Sequence, residues 1–198
     1  MRILIVGATG TIGGAIVAAL KGRHDLVLAS KQDAPEQVDL SDPASIRALY
    51  ARVGRVDGVV CAAGLVAFKP FAELTDADFA LSLSSKLMGQ VNLVRFGVPS
   101  VADGGSFTIT AGLLARQPAR NAAAVSLVNA GLEGFARSAA LELPRGLRIN
   151  VVSPADVSET LRARGQDPSR GLPVADVARA YVASVEGKQT GIVLDPHA

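Results

Sequence analysis

The stretch RILIVGATGTIGGAIVAAL at residues 2–20 passes from an apolar run, through a glycine-spaced turn, into a helix-period pattern. Arg2 to Val6 reads as a strand buried on both faces, and Ile12, Ile16, Val17 and Leu20 then recur at helical spacing. Gly7, Gly10 and Gly13 fall at the turn. Glycine there permits a tight turn, close approach of backbone to a pyrophosphate, and close packing of helix on sheet, with the helix N-terminus facing the phosphate charge. The spacing is G-x-x-G-x-x-G, which departs from the generic dinucleotide fingerprint. Its strand-turn-helix context is nevertheless the one such a site requires.

A chain of 198 residues fits one domain with a substantial core. Its 49% hydrophobic content, mostly Ala, Val, Leu and Ile, suits a parallel sheet covered by helices. Each apolar run is broken by Asp, Lys, Arg or Gly, so no membrane span is expected. The opening strand starts at Arg2, so Met1 is expected to begin the mature structure without a signal peptide. A formal charge of +2 without a basic block argues against nucleic acid as a partner. The single cysteine, Cys61, excludes an internal disulfide and multi-cysteine metal motifs, and fits a reducing cytoplasm, the expected location. His24 and His197 read as solvated surface residues, and no metal site is expected.

Apolar β-type runs recur at 2–6, 26–30, 57–63, 105–110, 147–153 and 190–194, with a shorter one near Val38. Helical patterns at 12–21, 43–53, 75–98, 121–142 and 174–187 fill the gaps. The alternation predicts a Rossmann-type α/β fold: a doubly wound parallel sheet in a three-layer αβα sandwich, folded as a single domain. Thr75 with Asp78 forms an N-terminal capping pattern, and Pro173 precedes the last helix. The stretch 154–173 reads as one long irregular loop and a candidate substrate lid. Ligands in such sheets lie at the carboxyl ends of the strands. That rule gathers Gly7 to Gly13, Ser30 and Lys31, Asp39 and Leu40, Ala62 to Gly64, Thr110 to Gly112, and Ser153 to Val157 around one crevice.

The ordered landmarks GATGTIG, CAAG at 61–64 and NAGLEGFARSAALELPRGLRINVVSPA at 129–155 resemble the short-chain dehydrogenase/reductase superfamily over nearly the whole chain. The resemblance implies an NAD(P)-binding oxidoreductase, with Gly7, Thr9, Gly10, Thr11, Ile12, Gly13, Ala62, Ala63, Gly64, Pro154 and Val157 at the cofactor. The second strand ends Ala29-Ser30-Lys31. A hydroxyl and a cation there suit a 2′-phosphate, so NADP(H) is the expected cofactor. Asp39 and Leu40 match the family's acid-apolar pair at the adenine, with Asp39 placed to accept from the adenine amino group.

The family's catalytic pattern is absent. Aligning NAGLEGF with the usual KAALEGF puts Asn129 at the place of the usual lysine and Val125 at that of the usual tyrosine, while Gly112 stands where a serine is usual. Lys86, within SSKLMG, stands where the family has an asparagine. Lysine and asparagine are thus exchanged between two helices facing one crevice. Lys86 is therefore expected to point inward and stabilise charge at the substrate or the ribose; the alternative is a surface lysine among apolar residues. Thr110, Ser84, Ser85 and Ser126 are the nearby hydroxyls. Thr110 is placed to orient a carbonyl, since an aliphatic hydroxyl is too weak an acid for proton transfer near neutral pH. Lys86, Thr110 and Asn129 are the expected catalytic residues. Arg116 and Arg120 fit either recognition of a substrate carboxylate or ordinary loop charge.

Two functions compete. The first is an NADP(H)-dependent oxidoreductase with altered acid/base machinery, acting on a small carbonyl, imine or activated alkene. The second is a catalytically silent NADP(H) sensor or scaffold subunit, favoured by Val125 and Gly112. A non-redox lyase or isomerase on the same scaffold is a third. Helices 75–98 and 121–142, rich in Ala, Gly, Val and Leu, resemble the family's dimerising pair, which implies a homodimer or homotetramer; the alternative is internal packing against the sheet.

Overall fold

The structure is a computed structural model, and residues 1–197 are described. Among the described residues seven parallel strands form one sheet: β1 (Arg2–Val6), β2 (Asp25–Ser30), β3 (Glu36–Gln37), β4 (Val56–Cys61), β5 (Val101–Thr110), β6 (Arg148–Val152) and β7 (Val193–Leu194), in the order β3-β2-β1-β4-β5-β6-β7. The order reverses at β1, so β1 and β4 flank the point where connections leave toward opposite edges. In such sheets a crevice opens there at the carboxyl ends. The strand ends are tied across: Gly7 N–H donates to Ala29 O at 2.8 Å, Ala62 N–H to Val6 O at 2.9 Å, and Ala111 N–H to Val152 O at 3.0 Å.

Helices cover both faces, because central strands of this composition present apolar side chains alternately up and down. On one face Leu4, Val59, Phe107 and Ile149 pack with α2 (Pro43–Val53), α4 (Gly89–Gly97) and α5 (Ala123–Glu142) through Ile46, Leu93 and Leu132. On the other, Ile3, Ile5 and Val60 pack with α1 (Thr11–Leu20) and α7 (Val174–Glu186) through Ile16, Leu20, Val177 and Tyr181. The doubly wound, three-layer architecture read from the pattern is the one observed.

Several boundaries are corrected. The predicted helix 75–98 is three pieces: α3 (Asp76–Ser82), capped reciprocally by Thr75 and Asp78, then a wide π-helical turn at Leu83–Met88, then α4. The stretch 154–173 is not one irregular loop: it carries a short helix α6 (Ser158–Ala163) and a 3₁₀ turn at Pro168–Arg170. Glu159, in the first turn of α6, accepts from Val174 N–H at 2.9 Å and so ties this segment to α7. The strand near Val38 is only Glu36–Gln37. His24 is not a solvated side chain, being 11% exposed with Nε2 at 2.8 Å from Glu186 Oε1.

Candidate functional site

The β1-α1 turn is built by glycines with different duties. Gly7 has φ +87°, and a Cβ there would lie 2.7 Å from Ala62 O, so the chain passes directly over the end of β4. A Cβ on Gly13 would drive into the Gly7 carbonyl, which is how α1 approaches the sheet. Gly10 is exposed, and a Cβ there would meet nothing nearer than Gly7 O at 3.4 Å. Among the described residues no side chain caps α1 and no acid lies in its first turn. Its leading N–H groups are therefore available to an anion. Thr11 opens the helix, and Thr9 is fixed beside it by its N–H and hydroxyl, 3.2 and 3.0 Å from Ser30 Oγ.

Two adjoining hollows share Ala63 and Gly64. The smaller, about 200 Å³, is lined by Gly7, Ser30, Lys31, Asp39, Leu40 and neighbours. Lys31 Nζ lies 2.8 Å from Asp39 Oδ2, and Asp39 Oδ1 accepts from the Ser41 N–H and hydroxyl. These partners hold the Asp39 carboxyl down at about 2, Lys31 first and Ser41 next. Both carboxylate oxygens are thus already engaged, and the adenine-accepting role expected of Asp39 requires one of them to change partner.

The larger hollow, about 690 Å³, runs from Ile12 and Ala62 past Lys86, Thr110, Asn129, Pro154 and Val157 to Phe68, Gln117 and Arg164 at its outer end. Lys86 points inward: Nζ donates to Ala111 O at 3.2 Å. It sits within the π-helical turn, a feature that recurs at functional sites because it re-aims one side chain. Gly64 presses on it from below, since a Cβ there would lie 2.9 Å from Lys86 Cα. Burial strips water from the ammonium and lowers its pKa from the ordinary 10.5 to about 8. Val125, buried, forms apolar wall.

Thr110 does not serve as expected. Its hydroxyl donates to Cys61 O at 2.6 Å and meets the Tyr181 hydroxyl at 2.6 Å, on the α7 side of the sheet. Engaged twice in the interior, it is not available to orient a carbonyl. Burial there raises the Tyr181 phenol and pushes the Cys61 thiol up to about 12, so neither is a nucleophile or acid near neutral pH.

Asn129 is 1% exposed, and among the described residues its Oδ1 has no hydrogen-bond partner. One turn later on α5 stands Glu133, also buried, a residue that sequence reasoning passed over. Its Oε1 accepts from Ser153 Oγ at 2.9 Å, and Ser153 Oγ accepts from Gly112 N–H at 3.1 Å. Arg116 Nε and Arg137 lie 3.4 Å from the same carboxylate, and Arg116 also reaches Asp195 at 3.4 Å. Arg116 therefore fastens the β5-α5 loop rather than standing free for a substrate, whereas Arg120 is exposed. Spacing of four residues from Asn129 and eight from Val125, which sets all three on one face of α5, was the available signal for Glu133. Ser85 is likewise structural, accepting from Leu65 N–H at 3.0 Å.

The residues at the strand ends fit a dinucleotide: bare backbone at Gly10, an uncapped helix start, a cation at Lys31 and an apolar-walled inner hollow. Comparison with known proteins agrees in fold. The model of the family described as Enoyl-(Acyl carrier protein) reductase matches residues 14–185, and the chain belongs to the short-chain dehydrogenase/reductase superfamily. It is 30% identical over 184 residues to the short-chain dehydrogenase/reductase prx4 of Penicillium roqueforti, across 81% of this chain and 56% of that protein. The chain therefore spans just over half the length of that relative. The crystal structure of the protein lin1944 from Listeria innocua is similar with TM-score 0.95 and 40% identity, covering 98% of each chain. A small-chain dehydrogenase solved in complex with NADPH is similar in fold, with TM-score 0.86 and 23% identity over 98% of this chain and 95% of that one. Among the described residues no helix is long and apolar enough to cross a membrane, and no group of three or more metal-ligating side chains occurs.

Proposed function

We propose that the protein is an NADP(H)-dependent oxidoreductase acting on a small carbonyl, imine or activated alkene, with Lys86 as the proton-carrying residue. The observation that carries this reading is the Lys86 ammonium, turned into the crevice and held by burial at a pKa of about 8. A group that gives and takes a proton near neutral pH suits general acid/base work. NADP(H), when bound, supplies the hydride chemistry. The turn from Gly7 through Thr9, Gly10, Thr11 and Ile12 to Gly13 would hold the pyrophosphate, with Ser30 and Lys31 at the 2′-phosphate and Asp39 and Leu40 at the adenine. Ala62, Ala63, Gly64, Pro154 and Val157 would wall the inner end. Lys86 gives its proton to the substrate's oxygen or nitrogen, and the segment 154–173 acts as a lid over the outer end.

The test is a titration of NADPH and NADH by the cofactors' own fluorescence, followed by turnover on carbonyl, imine and activated-alkene panels. NADPH is expected to bind more tightly. Lys31 lies in an exposed pair with Asp39, and charges of that kind are worth at most about 1 kcal/mol, so Lys31→Ala should cut the preference by up to about fivefold. Tighter NADH binding would remove the NADP assignment, and an NADPH preference unchanged in Lys31→Ala would remove Lys31 from the 2′-phosphate site.

The sensor reading is favoured by the buried Val125 and by the locked Thr110 hydroxyl. NADPH binding without turnover on any panel would select it. Self-association of the chain in a cytoplasmic setting belongs to the same proposal: Leu83, Met88, Leu127 and Leu141 stand exposed on the π-helical turn and α5. Light scattering on the eluted protein should give a dimer or tetramer mass, and a monomer alone would end that expectation.

A further inference from the structure

Gly112 needs no glycine for its backbone. Its φ of 165° and ψ of 153° are extended values open to any residue. The constraint is spatial: a Cβ at Gly112 would lie 2.8 Å from Asn129 Nδ2, with Pro154 O at 3.5 Å and Asn129 Cγ at 3.6 Å. The backbone has little room to yield. Ala111 N–H is bonded to Val152 O, Gly112 N–H to Ser153 Oγ, and Leu113 N–H to Pro154 O. Ser153 is fixed in turn by the buried Glu133 carboxylate. The Asn129 carboxamide, carried on α5, therefore occupies the volume that a side chain at residue 112 would enter.

Its placement has a cost that packing alone does not explain. Asn129 Oδ1 is buried without a partner among the described residues, and an unmade hydrogen bond of that kind is destabilising. Exchanging the amide ends would leave an unpaired donor in the same place. The arrangement instead turns the amide nitrogen toward Gly112, a residue lining the larger hollow, as Asn129 itself does. On the preceding residue the Lys86 ammonium rests on Ala111 O at 3.2 Å. Two N–H donors of different origin, one from the π-helical turn and one from α5, thus flank adjacent residues at the end of β5.

We propose that Asn129 Nδ2 donates a hydrogen bond to the reacting oxygen or nitrogen of the substrate beside Lys86, and that residue 112 is glycine to admit this amide. The inference rests on the larger hollow being the reaction site. Paired donors aimed at the atom where negative charge develops are an effective form of transition-state stabilisation, because they are fixed before reaction. Lys86 carries the transferable proton; Asn129, which cannot give one up, holds its acceptor in line.

The test is the reciprocal pair Asn129→Ala and Gly112→Ser, singly and together, assayed with NADPH and phenanthrenequinone, an activated diketone. Thermal melting and NADPH affinity are measured on each variant. Asn129→Ala is expected to lower kcat by about a hundredfold, the loss typical of one such donor, with NADPH binding intact and melting unchanged or raised. Gly112→Ser alone should damage activity by displacing the amide. In the Asn129→Ala background the same serine should restore part of the lost kcat, since its hydroxyl places a donor in the vacated volume. A merely structural asparagine leaves kcat of the folded Asn129→Ala variant near the wild-type value, and a serine that restores none of the lost kcat in the Asn129→Ala background would overturn the proposal. Asn129→Ser provides a smaller change if the alanine variant folds poorly. Wild-type turnover that survives Asn129→Ala overturns this inference alone, whereas absence of turnover in the wild type removes the oxidoreductase reading and the inference with it.

Discussion

Lys86→Met is expected to lose about a thousandfold in kcat for reduction, within the range that positioned general acids contribute, while still binding NADPH. It is also expected to fold more stably than the wild type at neutral pH. Both effects come from one ammonium. Burial lowers the Lys86 pKa from 10.5 to about 8, so below pH 8 the folded protein holds a charge that the unfolded chain would carry more comfortably in water. The sign follows from proton counting. Between about pH 8 and 10.5 the unfolded state binds more protons, so stability rises with pH across that window. Below it the penalty is fully present. A shift of this size corresponds to about 3 kcal/mol, and losing the bond to Ala111 O returns about 1 kcal/mol of it. A net gain of about 2 kcal/mol, several degrees in melting temperature for a chain of this length, is therefore expected of the methionine.

The pH profile separates acid catalysis from a fixed positive charge. If Lys86 donates the proton in reduction, the rate falls as pH rises through about 8, and the oxidation direction shows the opposite limb. Lys86→Arg keeps a charge but cannot release a proton near neutral pH, so it should not restore turnover. A lysine variant that kept full turnover, or an arginine variant that recovered it, would assign the proton to water or substrate.

The inward turn of Lys86 was legible in the exchange of lysine and asparagine between two helices. The means by which it is aimed was not. A π-helical turn over Leu83–Met88 differs from an α-helix by a fraction of a residue per turn, which six residues do not reveal in an apolar pattern. The misreading of Thr110 had an available remedy. Phe107 and Ile109 belong to one face of β5, so Thr108 and Thr110 must belong to the other, where they meet Ser184 and Tyr181. The fit of Asn129 into the Gly112 volume was beyond sequence, because it is a contact between two elements whose spacing along the chain sets no distance. The β1-α1 turn was the most legible part, since strand, turn and helix each constrain the next within a few residues.

That turn supplies the second large effect. Gly13→Ala is expected to cost about 3 kcal/mol or more of stability and to abolish cofactor binding, because the new methyl would enter the Gly7 carbonyl. Neither partner can retreat. Gly7 is held at φ +87° with Ala62 O close above it, and its carbonyl already accepts from Gly10 N–H at 3.1 Å. Relief requires lifting α1 from the sheet, which opens space beneath Ile16 and Leu20, both fully buried. Two neighbours isolate this from a general intolerance of the turn. Gly14→Ala places its methyl 3.9 Å from Ala8 O, in ordinary contact, and should be neutral or stabilise by about 0.5–1 kcal/mol through helix propensity. Gly10→Ala finds space in the free protein, so its melting temperature should stay near that of the wild type. Its methyl would stand where backbone must approach the pyrophosphate, and NADPH affinity should fall about tenfold or more, the equivalent of the 1–3 kcal/mol that overpacking costs. Melting and NADPH titration of the three variants should therefore separate them: loss of both properties at Gly13, of binding alone at Gly10, and of neither at Gly14. Equal loss of stability at Gly10 and Gly13 would mean that the turn, rather than the ligand, sets the demand for glycine at residue 10, and would withdraw Gly10 from the proposed pyrophosphate site.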